Sequence, residues 1–261
     1  MARWRRERPD APLVVALTGT DIYRDLPKSR RAKQSIEWAT LLVALQERAL
    51  DELSAAERRK TRVIVQSSDL PRRRQPKAGH RFRVCVLGHL RHEKDPFRAA
   101  MASRRLPAAS RVEVVHAGAA LTPSMARRAR GEATRNPRYH WVGDLPRTRA
   151  LAVLRGSDVM VLSSRMEGGA GVLSEALAMG VPVIASRVPG IVGVLGSKHP
   201  GLFRVGDTAA LVRMLRRAET EPEFLESLRV AGAARLPLVD PKRERDAWRA
   251  LIAELSFPRV P

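Results

Sequence analysis

Short apolar, β-branched runs alternate along the chain with longer segments whose apolar positions recur every three or four residues. The runs are PLVVAL (12–17), TLLVAL (40–45), RVIVQ (62–66), FRVCVLG (82–88), RVEVVHAG (111–118), RYHWVG (138–143), DVMVLS (158–163) and VPVIAS (181–186). Each has the length and residue types of a strand. The stretches DPFRAAMASRRL (95–106), TPSMARRARGEA (122–133), RTRALAVLRG (147–156) and GVLSEALAMG (171–180) have helical patterns. Thr122 and Asp95 each precede a proline and are expected N-caps, with Pro at the first helical position. Gly180 is an expected C-cap. PKRERDAWRALIAEL (241–255) reads as one more amphipathic helix, with Trp248, Leu251, Ile252 and Leu255 on one face. Repeated strand–helix units predict an α/β fold: parallel sheets covered by helices on both faces.

The pattern breaks at DLPRRRQPKAGH (69–80), which is polar, carries two prolines and a glycine, and reads as a linker. The expected organisation is a partial N-terminal unit over 1–70, a linker over 71–80, a full doubly wound unit over 81–240 and a helix over 241–256. Three strands in the first block make a thin domain.

Composition sharpens this picture in three places. No apolar run reaches the roughly 18 residues that a membrane span needs, and the charged start MARWRRERPD is not followed by the apolar stretch of a signal peptide. The single cysteine, Cys85, excludes an internal disulfide and fits a reducing cytoplasm; in mid-strand it reads as an inert core thiol. Lys and Arg number 48 against 27 acidic residues, a formal charge of +21, which favours anionic ligands in general. The basic residues are spread along the chain and aromatics are only 4% of it, which argues against a stacking surface for single-stranded nucleic acid. A basic nucleic-acid-binding protein remains the alternative from another functional class, with steeply salt-dependent binding as its mark.

The segment SSRMEGGAGVLSEALAMGVPVIAS (163–186) carries the strongest chemical signal. A strand ends, the chain passes through Glu167, Gly168 and Gly169, and a helix begins. The glycines allow close approach of backbone to a ligand. The helix start presents unpaired N–H groups and a partial positive charge to a phosphate, with Val172 and Leu173 in its first turn. Glu175, one turn further on, is placed to accept two ribose hydroxyls, as acidic residues do in dinucleotide folds. The plainer reading is a capping glutamate plus a surface glutamate.

On these residues the chain resembles the large glycosyltransferase group typified by glycogen synthase and bacterial mannosyltransferases, whose signature is a pair of glutamates separated by seven residues. Glu167 and Glu175 stand at that spacing. VLGHLRHEKDP (86–96) is similar to the group's loop that reaches the donor diphosphate, HWVGDLPRTRALAVLRGSDVMVLSS (140–164) to its approach to the signature, and FRVGDTAALVRML (203–215) to the strand and helix beyond the signature. The resemblance implies a GT-B fold: two facing Rossmann-like doubly wound domains, with the nucleotide-sugar on the C-terminal one and the last helix crossing back to the first. The first domain looks truncated, because nothing before Pro12 resembles the group's opening strand, loop and helix. It also implies donor binding by Gly88, Arg91, Lys94, Gly168, Gly169, Val172, Leu173 and Glu175, with Glu167 as a catalytic residue. The group's phosphate arginine normally stands directly after the glycine; here that position is His89, and Arg91 is the substitute. His89 and His92 lack the spacing of a zinc site, and enzymes of this fold usually need no metal, so cations and N–H groups must stabilise the departing diphosphate.

In the first block, VVALTGTDIYRDLP (14–27) corresponds to the group's loop facing the donor sugar. Thr18, Gly19 and Thr20 are acceptor-side candidates. Asp21 is either a catalytic residue orienting the acceptor or, in an ordinary turn, a cap for the next segment. The wording of LTGTDIYRDLP, VCVLGHLRHEKDPFRAAMASRRLP and LSSRMEGGAGVLSEALAMGVPVIASRVPGIVGVLG looks like the selenosugar-synthase branch of the group. That resemblance implies a UDP-sugar donor, typically UDP-N-acetylglucosamine, and selenophosphate as the acceptor. An ordinary hydroxyl acceptor, or a non-catalytic UDP-sugar-binding domain, stays open beside it.

Overall fold

The structure, a computed structural model, describes residues 1–69 and 81–256; the expected linker at 71–80 lies outside the described residues. Its two sheets arise from the apolar runs. In the first, β1 (Val14–Leu17), β2 (Leu41–Ala44) and β3 (Thr61–Val63) lie parallel in the order β1-β2-β3. Every residue of β2 is buried, because the strand is central and covered twice. Leu42 and Ala44 face a cluster with Leu17, Ile22, Ile36 and Leu53. Leu41, Val43 and Leu45 face the opposite way, onto Ile64 and Leu251.

In the second sheet, β4 (Phe82–Leu87), β5 (Val112–Ala117), β6 (Tyr139–Trp141), β7 (Val159–Leu162), β8 (Val183–Ser186) and β9 (Leu202–Phe203) are parallel throughout, in the order β6-β5-β4-β7-β8-β9. Counted within the sheet this is 3-2-1-4-5-6, the doubly wound order that opens a ligand crevice above the carboxyl ends of the strands where the winding reverses. The alternation of the strands sorts the core onto two faces. Cys85, Met160, Leu162, Val183 and Ala185 point one way, Val84, Val159, Val161 and Ile184 the other. Cys85 is fully buried and burial pushes its thiol up to about 12, so it is an unreactive core residue.

The helices are α1 (Ala2–Glu7), α2 (Arg30–Trp38), α3 (Ala55–Arg59), α4 (Arg98–Ser103), α5 (Pro123–Arg135), α6 (Arg147–Arg155), α7 (Gly171–Met179), α8 (Pro189–Leu195), α9 (Thr208–Thr220), α10 (Pro222–Ala233) and α11 (Pro241–Ser256). Among the described residues none is long and apolar enough to cross a membrane. Thr122 caps α5 through Met125 N–H, and Gly180 closes α7 in a left-handed conformation. Asp95 does not cap a helix. It adopts φ 44° and its carboxylate binds Arg98, so α4 starts only after Phe97. α11 lays Leu251, with Trp248 and Leu255 beside it, onto the second face of the first sheet, and Arg62 pairs with Glu254 at 2.5 Å. Ile252 departs from the expected face and is exposed.

Candidate active site

A cleft of about 410 Å³ opens at the carboxyl ends of β4 and β5, next to the reversal of strand order between β4 and β7. Its walls come from the loop after β4 (Gly88, His89, Arg91, Lys94), the end of β5 (Ala117, Gly118), the segment before α6 (Asp144, Leu145) and the start of α7 (Ala170, Gly171, Val172). Of the expected donor residues, Gly88, Arg91, Lys94 and Val172 line it. No side chain caps α7, so the helix turns unpaired N–H groups and its positive end to the cleft.

Lys94 sits at the end of a short 3-10 turn, His92–Lys94. Its Nζ donates to Glu167 Oε1 at 2.5 Å, and Ser164 Oγ donates to the same oxygen at 2.5 Å. Glu167 is 8% exposed. A buried carboxylate needs such partners, and here they fix the lysine at the cleft wall. The cation thus stands at the cleft wall, and Glu167 is the group that holds it there.

The glycines after Glu167 do not line the cleft and make a close contact of their own. A Cβ on Gly168 would lie 2.0 Å from the carbonyl oxygen of Thr18, and one on Gly169 would lie 2.6 Å from Leu45 Cβ. They let the loop after β7 meet the first domain. Gly19 completes the contact from the other side, with φ 136° and Gly168 N 2.7 Å from its would-be Cβ. Arg24 joins Glu93 across the same boundary at 3.1 Å.

Leu173 and Asp21 depart from the sequence expectation, and Glu175 already has a protein partner. Leu173 is fully buried in the core between α7 and the sheet, and its N–H bonds to Ala170, so its side chain cannot touch a donor. Glu175 lies one turn below the cleft wall without lining it, and accepts from Arg147 Nη2 at 2.8 Å. Asp21 is taken up by its own turn. Its carboxylate accepts from the N–H groups of Thr18, Gly19 and Ile22 at 2.6–3.1 Å and from Thr18 Oγ1. It therefore organises the Thr18–Gly19–Thr20 turn, and the segment that follows has no side-chain cap. Thr20 begins the π-helical turn Asp21–Asp25.

Sequence patterns did not mark the cleft residues His89, Gly118, Asp144 and Leu145 as donor contacts, nor a buried histidine beneath them. His116 is fully buried in β5, with Nδ1 2.9 Å from Tyr139 Oη and Nε2 3.1 Å from the Gly88 carbonyl oxygen. A histidine at an inward position of the strand VEVVHA was the available signal.

Comparisons with known proteins bear on the fold and the family. The chain is 26% identical over 183 residues to glycosyltransferase 1 domain-containing protein 1 of Xenopus tropicalis, a stretch that is 69% of this chain and 52% of that protein. The chain thus spans about half the length of this curated relative. Among solved structures it resembles HepE of Anabaena in complex with UDP-glucose, with a TM-score of 0.74 at 18% identity over 93% of this chain and 72% of that one. It also resembles an α,α-trehalose-phosphate synthase (UDP-forming) of Burkholderia vietnamiensis, with a TM-score of 0.76 at 17% identity over 98% and 72%. These likenesses establish the GT-B fold of two Rossmann-like units. A family model described as glycosyl transferases group 1 matches residues 68–235, and the chain belongs to that family.

Proposed function

We propose that this chain transfers a sugar from a UDP-sugar to a small acceptor, with N-acetylglucosamine as the sugar and selenophosphate as the acceptor. The observation that carries the donor half is the convergence of Gly88, Arg91, Lys94 and the uncapped start of α7 on one cleft. HepE, which shares the fold, was solved with UDP-glucose. In this reading the diphosphate lies between Lys94, Arg91 and the N–H groups of Gly171 and Val172. Glu175 exchanges Arg147 for the ribose hydroxyls. Selenium attacks the anomeric carbon, the carbon–oxygen bond to the diphosphate breaks, and UDP leaves with the electron pair. The negative charge that builds on the leaving oxygen is met by fixed cations and N–H dipoles, without a metal. Lys94 is prepositioned for this by Glu167 and Ser164. The reaction belongs in the cytoplasm.

The selenium half rests on the sequence resemblance of the loops at 17–27, 84–107 and 162–196. Mass spectrometry of products from UDP-N-acetylglucosamine and selenophosphate tests it. The expected product is a sugar bonded through selenium to phosphate, formed with one equivalent of UDP. A glycoside of a hydroxyl acceptor and no selenosugar would replace the acceptor and keep the donor. UDP binding with no turnover on any acceptor would leave a binding domain alone.

A further inference from the structure

We infer that His116, held by Tyr139, is a positioning residue that orients the Gly88–His89 peptide so that the His89 N–H is presented to the donor diphosphate. This deepens the UDP-sugar reading and rests on it.

The hydrogen-bond directions are set by the partners. The Gly88 carbonyl can only accept, so His116 Nε2, 3.1 Å away, carries the proton. Nδ1 is then an acceptor, and the Tyr139 hydroxyl donates to it at 2.9 Å. Burial keeps the ring neutral by pushing it down to about 4. One tautomer is thereby fixed by two groups on neighbouring strands.

The consequence lies one peptide away. In a planar trans peptide the C=O and N–H point in opposite directions. With the Gly88 carbonyl turned down to His116 under the sheet's end, the His89 N–H points away from it, and both Gly88 and His89 line the cleft. Among the described residues no protein group accepts the His89 N–H. The peptide cannot readily turn over, because Gly118 packs directly on it: a Cβ on Gly118 would lie 2.0 Å from the Gly88 oxygen. Trp141 Nε1 fixes Gly118 in turn, donating to its carbonyl at 2.9 Å. The His89 side chain is also anchored, with Nδ1 accepting from Ala119 N–H at 3.1 Å. A backbone donor held this way needs no reorganisation when an anion arrives, which is the condition for effective electrostatic stabilisation.

The test compares affinity for UDP with affinity for uridine, which lacks the diphosphate, in wild type, His116→Leu, His116→Gln and Tyr139→Phe, each checked for folding by thermal melting. His116→Leu should weaken UDP binding about tenfold, the scale of a lost hydrogen bond to a charged group, and leave uridine unchanged. His116→Gln should recover most of the loss, since its amide N–H can reach the same carbonyl. Tyr139→Phe should weaken UDP selectively as well, because Nδ1 loses its donor and the tautomer is released. Equal weakening for both ligands, or unaltered UDP affinity in a folded variant, would overturn the inference while leaving the donor reading intact. Should His116→Leu not fold, the other two variants decide by the same criterion. Failure of the wild type to bind UDP would overturn both together.

Discussion

Lys94 Nζ lies 2.5 Å from Glu167 Oε1 and so ties the loop after β4 to the loop after β7 across 73 residues of sequence. One end of the pair is buried and the other faces the cleft, which makes it both a structural link and an electrostatic device. Lys94→Ala should therefore have two effects. It should destabilise the fold by about 3 kcal/mol, the cost of leaving a buried carboxylate without its cation, read by urea denaturation. It should also weaken UDP far more than uridine, since the cation acts on the diphosphate.

Glu175 makes a different prediction because its partner Arg147 is largely exposed. Such a pair contributes about 0–1 kcal/mol, so Glu175→Ala should melt close to wild type. Its affinity for uridine should nevertheless fall about tenfold, as expected when charge-assisted hydrogen bonds to the ribose are lost. Unchanged uridine affinity would separate Glu175 from the donor site.

Gly168 tests the contact between the domains. A methyl group there meets the Thr18 carbonyl oxygen at 2.0 Å, and backbone on both sides leaves little room to yield. Gly168→Ala should cost about 1–3 kcal/mol, the usual range for overpacking. Stability equal to wild type in denaturant titration would show that the two loops are not pressed together in solution.

His116 predicts a pH dependence of stability. Its ordinary pKa of 6.5 is lowered to about 4 in the folded chain by burial. Between those values the unfolded chain binds a proton that the folded chain does not. The contribution is thus complete above pH 6.5 and lost as the pH falls toward 4, amounting to ~3 kcal/mol. His199, lowered to about 4 by the same cause, adds to the slope. In His116→Gln, unfolding free energy measured between about pH 4 and 7 should rise less steeply than in wild type.

Much of the fold was legible in the chain because apolar periodicity reports burial directly. LLVA and VMVL read as strands since both of their faces are covered, and Thr122 and Gly180 marked helix ends by local geometry. β9, only Leu202–Phe203, was too short to give a periodic signal. The start of α4 was misread because Asp95 takes a left-handed conformation and pairs with Arg98, three residues on, instead of capping the helix. In the site, Lys94, Gly88, Arg91 and Val172 were pointed to by the family resemblance, and all four line the cleft. Gly168 and Gly169 were read correctly as points of close approach, but what approaches them is Thr18 and Leu45, residues far away along the chain. Asp21 shows the same limit: whether its carboxylate serves an acceptor or its own turn depends on where three backbone N–H groups point.

Everything proposed for this chain requires a nucleoside diphosphate in the cleft above β4 and β5, gripped by Lys94 at the phosphates and by Glu175 at the ribose. Calorimetric titration of UDP into wild type, Lys94→Ala and Glu175→Ala probes this without intermediaries. Saturable one-to-one binding to wild type, and weaker binding to both variants, is the expected outcome. Absence of binding to wild type, or equal affinity in all three folded proteins, would contradict it.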